Sequence, residues 1–266
     1  MSLRTQASAL LGQPVFNIMA LHGGDISAVH LLTLENGDTL VAKQGPLVAQ
    51  EARMLGAIAA SGAAAPQVIA CDGDLLLMER VEDGGRLSSG WNDLVDQMAM
   101  LRSAHGESYG WGEDYAFGKV AMINTRHTCW PDFWAENRLM CHVHDLPRDI
   151  ARRVETLAAR LPDMLPERPP PSLLHGDLWG GNVLVAPAGS CTLIDPACFH
   201  GDREVDVAAL TLFNNPPDSF FDALDMEPGW RERQPIYCLW PWLLHLRLFG
   251  SSYRAPVENA LALSGM

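Results

Sequence analysis

The sequence predicts an α+β protein with two lobes, in which a small antiparallel sheet with one helix precedes a larger, mainly helical part. Alternating apolar residues and the turn Asn36-Gly37-Asp38 indicate strands over residues 15–43. Helical periodicity dominates from Trp91 onward. The acidic, glycine-bearing segment 82–85 separates the two patterns. We therefore predict an N-terminal lobe of residues 1–83 and a C-terminal lobe of residues 84–266.

The remaining elements follow from local patterns. Pro46 opens a helix that contains Glu51 and stops near Gly62, and Asp72-Gly73-Asp74 joins two further strands. Amphipathic helices are predicted over 91–105, 132–144, 149–161 and 237–250, and Pro162 is expected to end the third. Within this helical part, two short apolar strands over 183–185 and 192–194 flank a turn.

Composition excludes several classes of partner. The chain of 266 residues has a formal net charge of −13, which argues against nucleic acids and anionic membranes. None of its six cysteines forms a C-x-x-C pair, and the run Cys141–Asp145 is expected to be a helix end with solvated histidines rather than a metal site. No signal peptide or membrane span is visible, so a cytoplasmic protein with reduced thiols is expected.

The segment HGDLWGGN carries the most specific chemical pattern. His175, Asp177 and Asn182 have the spacing H-x-D-x-x-x-x-N of kinase catalytic loops. In such a loop the Asp takes the proton of the acceptor hydroxyl, and the Asn reaches a metal ion on the triphosphate. We therefore predict Asp177 as the catalytic base, His175 as a supporting residue and Asn182 as a metal ligand.

A second acidic residue completes the predicted metal site. Asp195 lies thirteen residues after Asn182, at the end of an apolar strand, and a hairpin would return the chain to the same site. A carboxylate and an amide oxygen beside phosphates suit Mg²⁺. Taken singly, Asp195 is also consistent with a turn cap and Asn182 with a turn residue. The order and spacing of the four residues together favour a kinase that uses ATP and Mg²⁺, with a protein-kinase-like fold.

The N-terminal half supplies the predicted nucleotide site. Only two of the 19 Lys and Arg residues are lysines, and one of them, Lys43, ends a strand as the phosphate-pairing lysine of kinases does. Glu51 on the following helix is the natural ion-pair partner of Lys43. A lysine at such a position is, however, more often an exposed residue on the surface of a strand. The turn around Gly23 and Gly24 could cover phosphates with backbone N–H groups, although G-x-G-x-x-G is absent. The adenine pocket is predicted from Met78, the Glu79 carbonyl, the Val81 N–H, Leu184 and Ile194.

Asp206 lies at a helix start in the segment GDREVDVAAL. In kinase-like folds an aspartate here bonds the backbone of the catalytic loop. A simple carboxylate at a helix N-terminus explains the residue about equally well.

HGDLWGGN, LIDPACFHGDREVDVAAL and further segments between Gly23 and Tyr253 resemble the fructosamine (ketosamine) kinase family, within the aminoglycoside phosphotransferase and choline kinase-like group. The resemblance implies MgATP-dependent phosphorylation of the sugar of a ketoamine, an adduct of a sugar with an amine. It assigns Asp177 as base, Asn182 and Asp195 as metal ligands, and Lys43 with Glu51 to the nucleotide. It also places Trp179 at the acceptor site. Asp202 stands near that site where the family often has His.

Other functions remain open at this point. An aminoglycoside or choline-type kinase would use the same catalytic residues, and a non-catalytic nucleotide-binding module would keep only part of them. A protein kinase is disfavoured, because Asp206 follows Asp195 by only eleven positions, which leaves no room for an activation segment. The sugar, the amine carrier and the oligomeric state do not follow from the sequence.

Overall fold

A computed structural model describes residues 1–21 and 28–266 of the chain. Residues group into two compact units, the first formed by Met1–Gln97 with Asn182–Pro196 and the second by Met98–Gly181 with Ala197–Met266. The first unit therefore continues beyond the predicted boundary at residues 83 and 84 and includes a later hairpin. The division into a nucleotide-binding and a substrate-binding lobe at that boundary stays a prediction.

The first half of the chain contains α1 (Leu3–Leu11), β1 (Val15–Ala20), β2 (Ala28–Leu34), β3 (Thr39–Gln44), α2 (Val48–Ala60), β4 (Val68–Asp72), β5 (Leu75–Glu79), α3 (Trp91–Ser103), β6 (Tyr115–Phe117), β7 (Val120–Met122) and α4 (Trp130–Trp134). The second half contains α5 (Arg148–Met164), β8 (Ser172–Leu174), β9 (Val183–Val185), β10 (Cys191–Leu193), β11 (Phe199–Gly201), α6 (Glu204–Leu210), α7 (Asp218–Ala223), α8 (Trp230–Phe249) and α9 (Arg254–Leu263). Short 3-10 turns cover Leu87–Ser89, Gly180–Asn182 and Ser251–Tyr253.

The first unit is built on an antiparallel sheet in the order β1-β2-β3-β5-β4. Strand alternation gives β5 two apolar faces. Leu75 and Leu77 pack with Ala7 of α1, while Leu76 and Met78 pack with α2. The sheet is thus covered on both faces, which explains why the first four residues of β5, Leu75 to Met78, are all apolar.

Helix α1 was not predicted from the sequence. It begins at Ser2, whose hydroxyl accepts a hydrogen bond from the Thr5 N–H at 3.3 Å, and it ends at Gly12 in the left-handed conformation. A serine before and a glycine after a short apolar run are ordinary helix boundaries. Both boundary signals are therefore present in the local sequence.

The second unit is mainly helical, as predicted, and has an aromatic core. Trp130, Phe133 and Trp134 of α4 are fully buried with Phe199 of β11 and Trp240 of α8. Small antiparallel pairs, β6 with β7 and β8 with β11, lie beside these helices. The fold class, a sheet-based N-terminal part followed by a mainly helical part, is confirmed.

Two details of the helix predictions were wrong. Pro162 does not end α5, which continues to Met164 because Leu161 remains packed in the core. The predicted helix over 132–144 changes after α4 into a π-helical turn, Ala135–Leu139, and a 3-10 turn, Met140–Asp145.

Within that region, His142 is fully buried rather than solvated, and it lies 2.8 Å from an Arg247 guanidinium nitrogen. No cluster of three or more potential metal-binding side chains occurs among residues 1–21 and 28–266. In the same described ranges, no helix is both long and apolar enough to cross a membrane.

Candidate active site

Lys43, Glu51 and Asp195 form a cluster of charges in the first unit. The Lys43 ammonium lies 2.7 Å from one Glu51 carboxylate oxygen and 2.8 Å from the other. It also lies 2.9 Å from Asp195 Oδ1. Lys43 is the last but one residue of β3 and Glu51 lies on α2, so strand and helix together position the pair. The Lys43–Glu51 ion pair predicted from the sequence is therefore present, whereas its role on nucleotide stays a prediction.

Burial and charge act in opposite directions on Lys43, which is only 6% exposed. Burial by itself lowers the pKa of the Lys43 ammonium, but the charges of Glu51 and Asp195 outweigh it and raise that pKa above 10.5. The ammonium therefore stays protonated at neutral pH. A fixed positive charge suits the binding of phosphate oxygens.

Asn182 and Asp195 stand at the two ends of the β9–β10 hairpin. Leu184 pairs with Thr192 across it, and the Ile194 N–H donates to the Asn182 carbonyl at 3.0 Å. This backbone bond holds the ends of the hairpin together. An amide oxygen and a carboxylate are donors that fit a hard cation which also binds phosphates, so these residues suit the predicted Mg²⁺ ligation.

Asp195 has a φ of 53° in the left-handed region, which non-glycine residues adopt infrequently. Its carboxylate is about one-third exposed, while one oxygen contacts Lys43. An aspartate held in a sparsely populated conformation beside a buried lysine points to a functional constraint.

The predicted adenine-site residues lie on or near β5 and the β9–β10 hairpin. Met78 is buried against α2, whereas the exposed Glu79 accepts a hydrogen bond at 3.2 Å from the Gln67 N–H. Leu184, Val81 and Ile194 are partly exposed. Their contact with adenine stays a prediction. The predicted phosphate-covering glycines, Gly23 and Gly24, lie outside the described residues.

The loop that carries Asp177 belongs to the second unit and is held by Asp206. The Asp206 carboxylate accepts hydrogen bonds from the His175 N–H at 2.7 Å and from the Gly176 N–H at 2.9 Å. Asp206 is buried at the start of α6. Burial raises the pKa of its carboxyl to about 6, although the two N–H donors oppose that rise. Of the two readings of Asp206, the geometry agrees with the one in which it bonds the catalytic-loop backbone.

Hydrogen bonds hold His175, two residues before the predicted base, inside the loop. The Asp177 N–H donates to His175 Nδ1 at 3.3 Å, so this ring nitrogen carries a lone pair. The Ala197 N–H donates to the His175 carbonyl at 2.9 Å, which joins the loop to the segment after Asp195. His175 thus supports the loop through its backbone and its ring.

Trp179 is 40% exposed and covers the backbone of Gly181, where an added Cβ would lie 2.2 Å from the indole ring. Two residues that sequence analysis missed hold this part of the loop. Asn214 Oδ1 accepts from the Gly180 N–H at 2.7 Å, and the Phe213 ring lies 5.9 Å from Trp179. Nothing in the sequence around Phe213 indicated this contact, because it depends on how the chain returns after α6.

Asp202, predicted near the acceptor site, is buried and engaged on both oxygens. Tyr237 donates to it at 2.8 Å, and the Glu204 N–H donates at 3.0 Å. Burial and the charge of Glu204 raise the pKa of this carboxyl to about 6. Asp202 also borders a cavity of about 710 Å³ lined by Arg102, Arg203 and other residues. A contact with substrate stays a prediction, while a structural role at the start of α6 is evident.

Exchanging lysine for arginine tests the charge cluster. We expect Lys43→Arg to lower kcat/KM for ATP about tenfold or more, because a planar guanidinium cannot occupy the place of a compact ammonium bonded to two carboxylates. Steady-state kinetics on purified protein measures the effect. Lys119→Arg is the matched control, since Lys119 is the other lysine of the chain and is exposed. Equal behaviour of the two variants would remove Lys43 from the nucleotide site.

Known proteins resemble this chain in sequence and in fold. The family model "Fructosamine kinase" matches residues 2–263. A protein from Synechocystis sp. named "Probable ketoamine kinase" is 33% identical over 195 residues, which span 70% of this chain and 66% of that relative. A crystal structure of a candidate fructosamine-3-kinase from Thermobifida fusca is 30% identical with a TM-score of 0.91, over 99% of this chain and 98% of that one. An aminoglycoside phosphotransferase structure, 17% identical with a TM-score of 0.67 over 100% of this chain and 97% of that one, shares the fold.

Proposed function

This chain belongs to the fructosamine kinase family, and from that membership we propose that it transfers the γ-phosphoryl group of ATP to a sugar hydroxyl of a ketoamine. The observation that carries the proposal is the combination of the Lys43–Glu51–Asp195 cluster with a catalytic loop fixed by Asp206. These are the parts that phosphoryl transfer requires, because the reaction depends on positioning and on stabilising phosphate charge. Fructosamines and ribulosamines are the substrate types that we assign.

The proposed transfer forms one bond to the γ-phosphorus and breaks another. The acceptor hydroxyl oxygen forms a bond to the γ-phosphorus, and the bond from that phosphorus to the β–γ bridging oxygen breaks, which releases ADP. Asp177 takes the hydroxyl proton. Lys43 binds phosphate oxygens and is oriented by Glu51, and Asn182 and Asp195 would hold Mg²⁺. When bound, Mg²⁺ offsets the phosphate charge that develops during transfer.

The substrate class is tested by a panel of acceptors. Enzyme and MgATP are incubated separately with fructosyl-lysine, ribulosyl-lysine, choline, an aminoglycoside and free fructose, and product is detected by mass spectrometry. We expect phosphorylation of at least one ketoamine and of neither choline nor the aminoglycoside. Phosphorylation of choline or the aminoglycoside but of neither ketoamine would overturn the ketoamine assignment. The assignment as a small-molecule kinase would then still hold. If no ATP is consumed with any of these acceptors, a non-catalytic nucleotide-binding module is favoured.

Metal binding is expected to depend on nucleotide. Mg²⁺ retains several waters and binds few protein ligands, so Asn182 and Asp195 alone should hold it weakly. Calorimetry should therefore detect tight Mg²⁺ binding only when ATP or ADP is present, and Asp195→Ala should weaken MgATP binding. Tight binding of Mg²⁺ to the nucleotide-free protein, or indifference of MgATP binding to Asp195→Ala, would contradict the assigned ligands.

A further inference from the structure

The cavity of about 710 Å³ that Asp202 borders belongs entirely to the second unit, between the end of α3, the chain before β8 and the beginning of α8. Its volume is typical of a pocket for a small organic molecule. Four guanidinium groups surround it, although the whole chain has a formal net charge of −13. We call this space the arginine cavity. Its arginines are Arg102, Arg168, Arg203 and Arg233.

The arginine cavity lies away from the catalytic loop. Ser172, the first residue of β8, lines the cavity and pairs with Gly201 of β11. Asp202, which also lines the cavity, follows Gly201 at that same end of the two-stranded ladder. The loop that carries Asp177 begins with His175, which follows the opposite end of β8. The cavity is therefore a place separate from the one at which the predicted base would take a proton.

Two of the arginines, Arg102 and Arg203, lie side by side. Both donate to the Leu224 carbonyl, Arg102 at 3.4 Å and Arg203 at 3.1 Å. Burial lowers the pKa of the Arg203 guanidinium, and the like charge of Arg102 lowers it further. In the part of the chain that the structure describes, no carboxylate forms an ion pair with Arg102. Two adjacent positive charges thus share a carbonyl, which carries no net charge.

The carboxylates at the arginine cavity do not offset this pair of charges. Glu204 accepts two hydrogen bonds from Arg233, at 2.5 and 2.8 Å, so its charge is already balanced. Asp202 accepts from Tyr237 and from the Glu204 N–H. Glu227 lies 3.7 Å from Arg203, and its side chain is 70% exposed. An exposed ion pair of this length is weak, so an anion that enters the cavity can replace Glu227 beside Arg203.

The chemistry of the arginine cavity favours a phosphate group attached to a small carbon skeleton. A guanidinium presents N–H donors that match two phosphate oxygens, and a dianion balances two adjacent positive charges. Arg203 has further N–H donors besides those on the Leu224 and Asp225 carbonyls. Proline rings supply apolar contacts for the carbon skeleton, and inorganic phosphate alone would leave them uncovered. These rings belong to Pro166, Pro169, Pro170 and Pro228.

We propose that the arginine cavity is a binding site for a small phosphomonoester, held by Arg102 and Arg203 in place of Glu227. The inference goes beyond the proposed function and does not depend on it, because these three residues have no part in the proposed phosphoryl transfer. Arg203 lies three positions before Asp206, which accepts from the backbone of the catalytic loop. A bound phosphomonoester would therefore hold the chain close to the residue that fixes that loop.

The test is calorimetric binding of glycerol 3-phosphate to the full chain without nucleotide, with glycerol as the uncharged counterpart. We expect saturable binding of glycerol 3-phosphate and none of glycerol. Arg102→Gln should weaken binding about tenfold or more, because a charge-assisted hydrogen bond is lost. Glu227→Gln should strengthen it about twofold to fivefold, because the competing carboxylate loses its charge. The matched control is Arg152→Gln, exposed on α5 and outside the cavity, which should change nothing.

Inorganic phosphate and a nucleotide-site variant distinguish the other sources of binding. Inorganic phosphate should bind more weakly than glycerol 3-phosphate, and tighter binding of inorganic phosphate would overturn the assignment of a phosphomonoester. If Lys43→Gln abolishes binding while Arg102→Gln leaves it unchanged, the ligand binds at the predicted nucleotide site and the inference is wrong. Absence of any binding of glycerol 3-phosphate would overturn it as well.

The stability of the variants is checked by thermal unfolding without ligand. Arg102→Gln should unfold at the same temperature as the unchanged protein, because Arg102 is exposed and its hydrogen bond to Leu224 is long, at 3.4 Å. If Arg102→Gln proves less stable, Glu227→Gln decides, since a gain in affinity cannot result from damage to the fold. Unchanged affinity in Glu227→Gln would then overturn the inference, and increased affinity would support it.

Discussion

Replacing Asp177 by asparagine is expected to lower turnover by roughly 100-fold or more while leaving nucleotide binding intact. Asparagine keeps the shape of the side chain, but its amide cannot take the proton of the acceptor hydroxyl. The loop itself should persist, because Asp206 holds the backbone N–H groups of His175 and Gly176 rather than the Asp177 side chain. Single-turnover kinetics reports the chemical step, and calorimetry with ADP and Mg²⁺ reports binding.

An exposed aspartate provides the control for this variant. Asp163→Asn, on the last turn of α5, makes the same chemical change away from the predicted site and should leave both measurements unaltered. Near-normal turnover of Asp177→Asn would remove Asp177 from the role of base. Loss of ADP binding in the same variant would instead indicate that the substitution disturbs the loop.

Gly176→Ala is expected to destabilise the protein by about 3 kcal/mol or more. Gly176 has a φ of 80°, and a Cβ added there would lie 1.9 Å from the Ala197 carbonyl oxygen. The two segments cannot separate freely, because the Ala197 N–H donates to the His175 carbonyl at 2.9 Å. Thermal unfolding should show a decrease in Tm of roughly 6 to 12 °C for a domain of this size.

A second glycine separates the destabilisation due to backbone conformation from the destabilisation due to the steric conflict. Gly73 also has a positive φ, 56°, but an added Cβ meets nothing within 4 Å. Gly73→Ala should therefore cost only about 1 kcal/mol, the usual penalty for a left-handed non-glycine residue. Equal decreases in Tm for the two variants would show that the close approach of Ala197 to Gly176 contributes nothing.

Much of the predicted site could be read from local sequence because it consists of short segments with fixed spacing. HGDLWGGN and LIDP place Asp177, Asn182 and Asp195 within one hairpin and its flanks, and a hairpin of this length has few geometries. Lys43 was recognisable because the chain uses lysine so rarely. These roles remain predictions that the variants above test. The family membership and the fold class, by contrast, are established.

Where local patterns failed, contacts distant in sequence were decisive. Pro162 normally interrupts a helix, yet α5 continues because its apolar face remains in the core. The histidine run looked solvated, yet His142 is buried beside Arg247, a residue more than a hundred positions later. Local propensity cannot report such contacts, since it contains no information about which surface covers a given residue.

The sequence by itself determined the succession of a sheet-based part and a mainly helical part, the kinase-type spacing of the loop residues and the family, because each depends on residues near one another in the chain. Only the tertiary structure decided that Asp195 joins Lys43 and Glu51, that Asp206 holds the His175–Gly176 backbone, and that aromatic rings lie in series from Trp179 to Tyr253. Lys43 and Asp195 are 152 positions apart in the chain, and Gly176 and Asp206 are 30 positions apart. Their geometry is fixed by packing of whole elements, and spacing along the chain does not encode it.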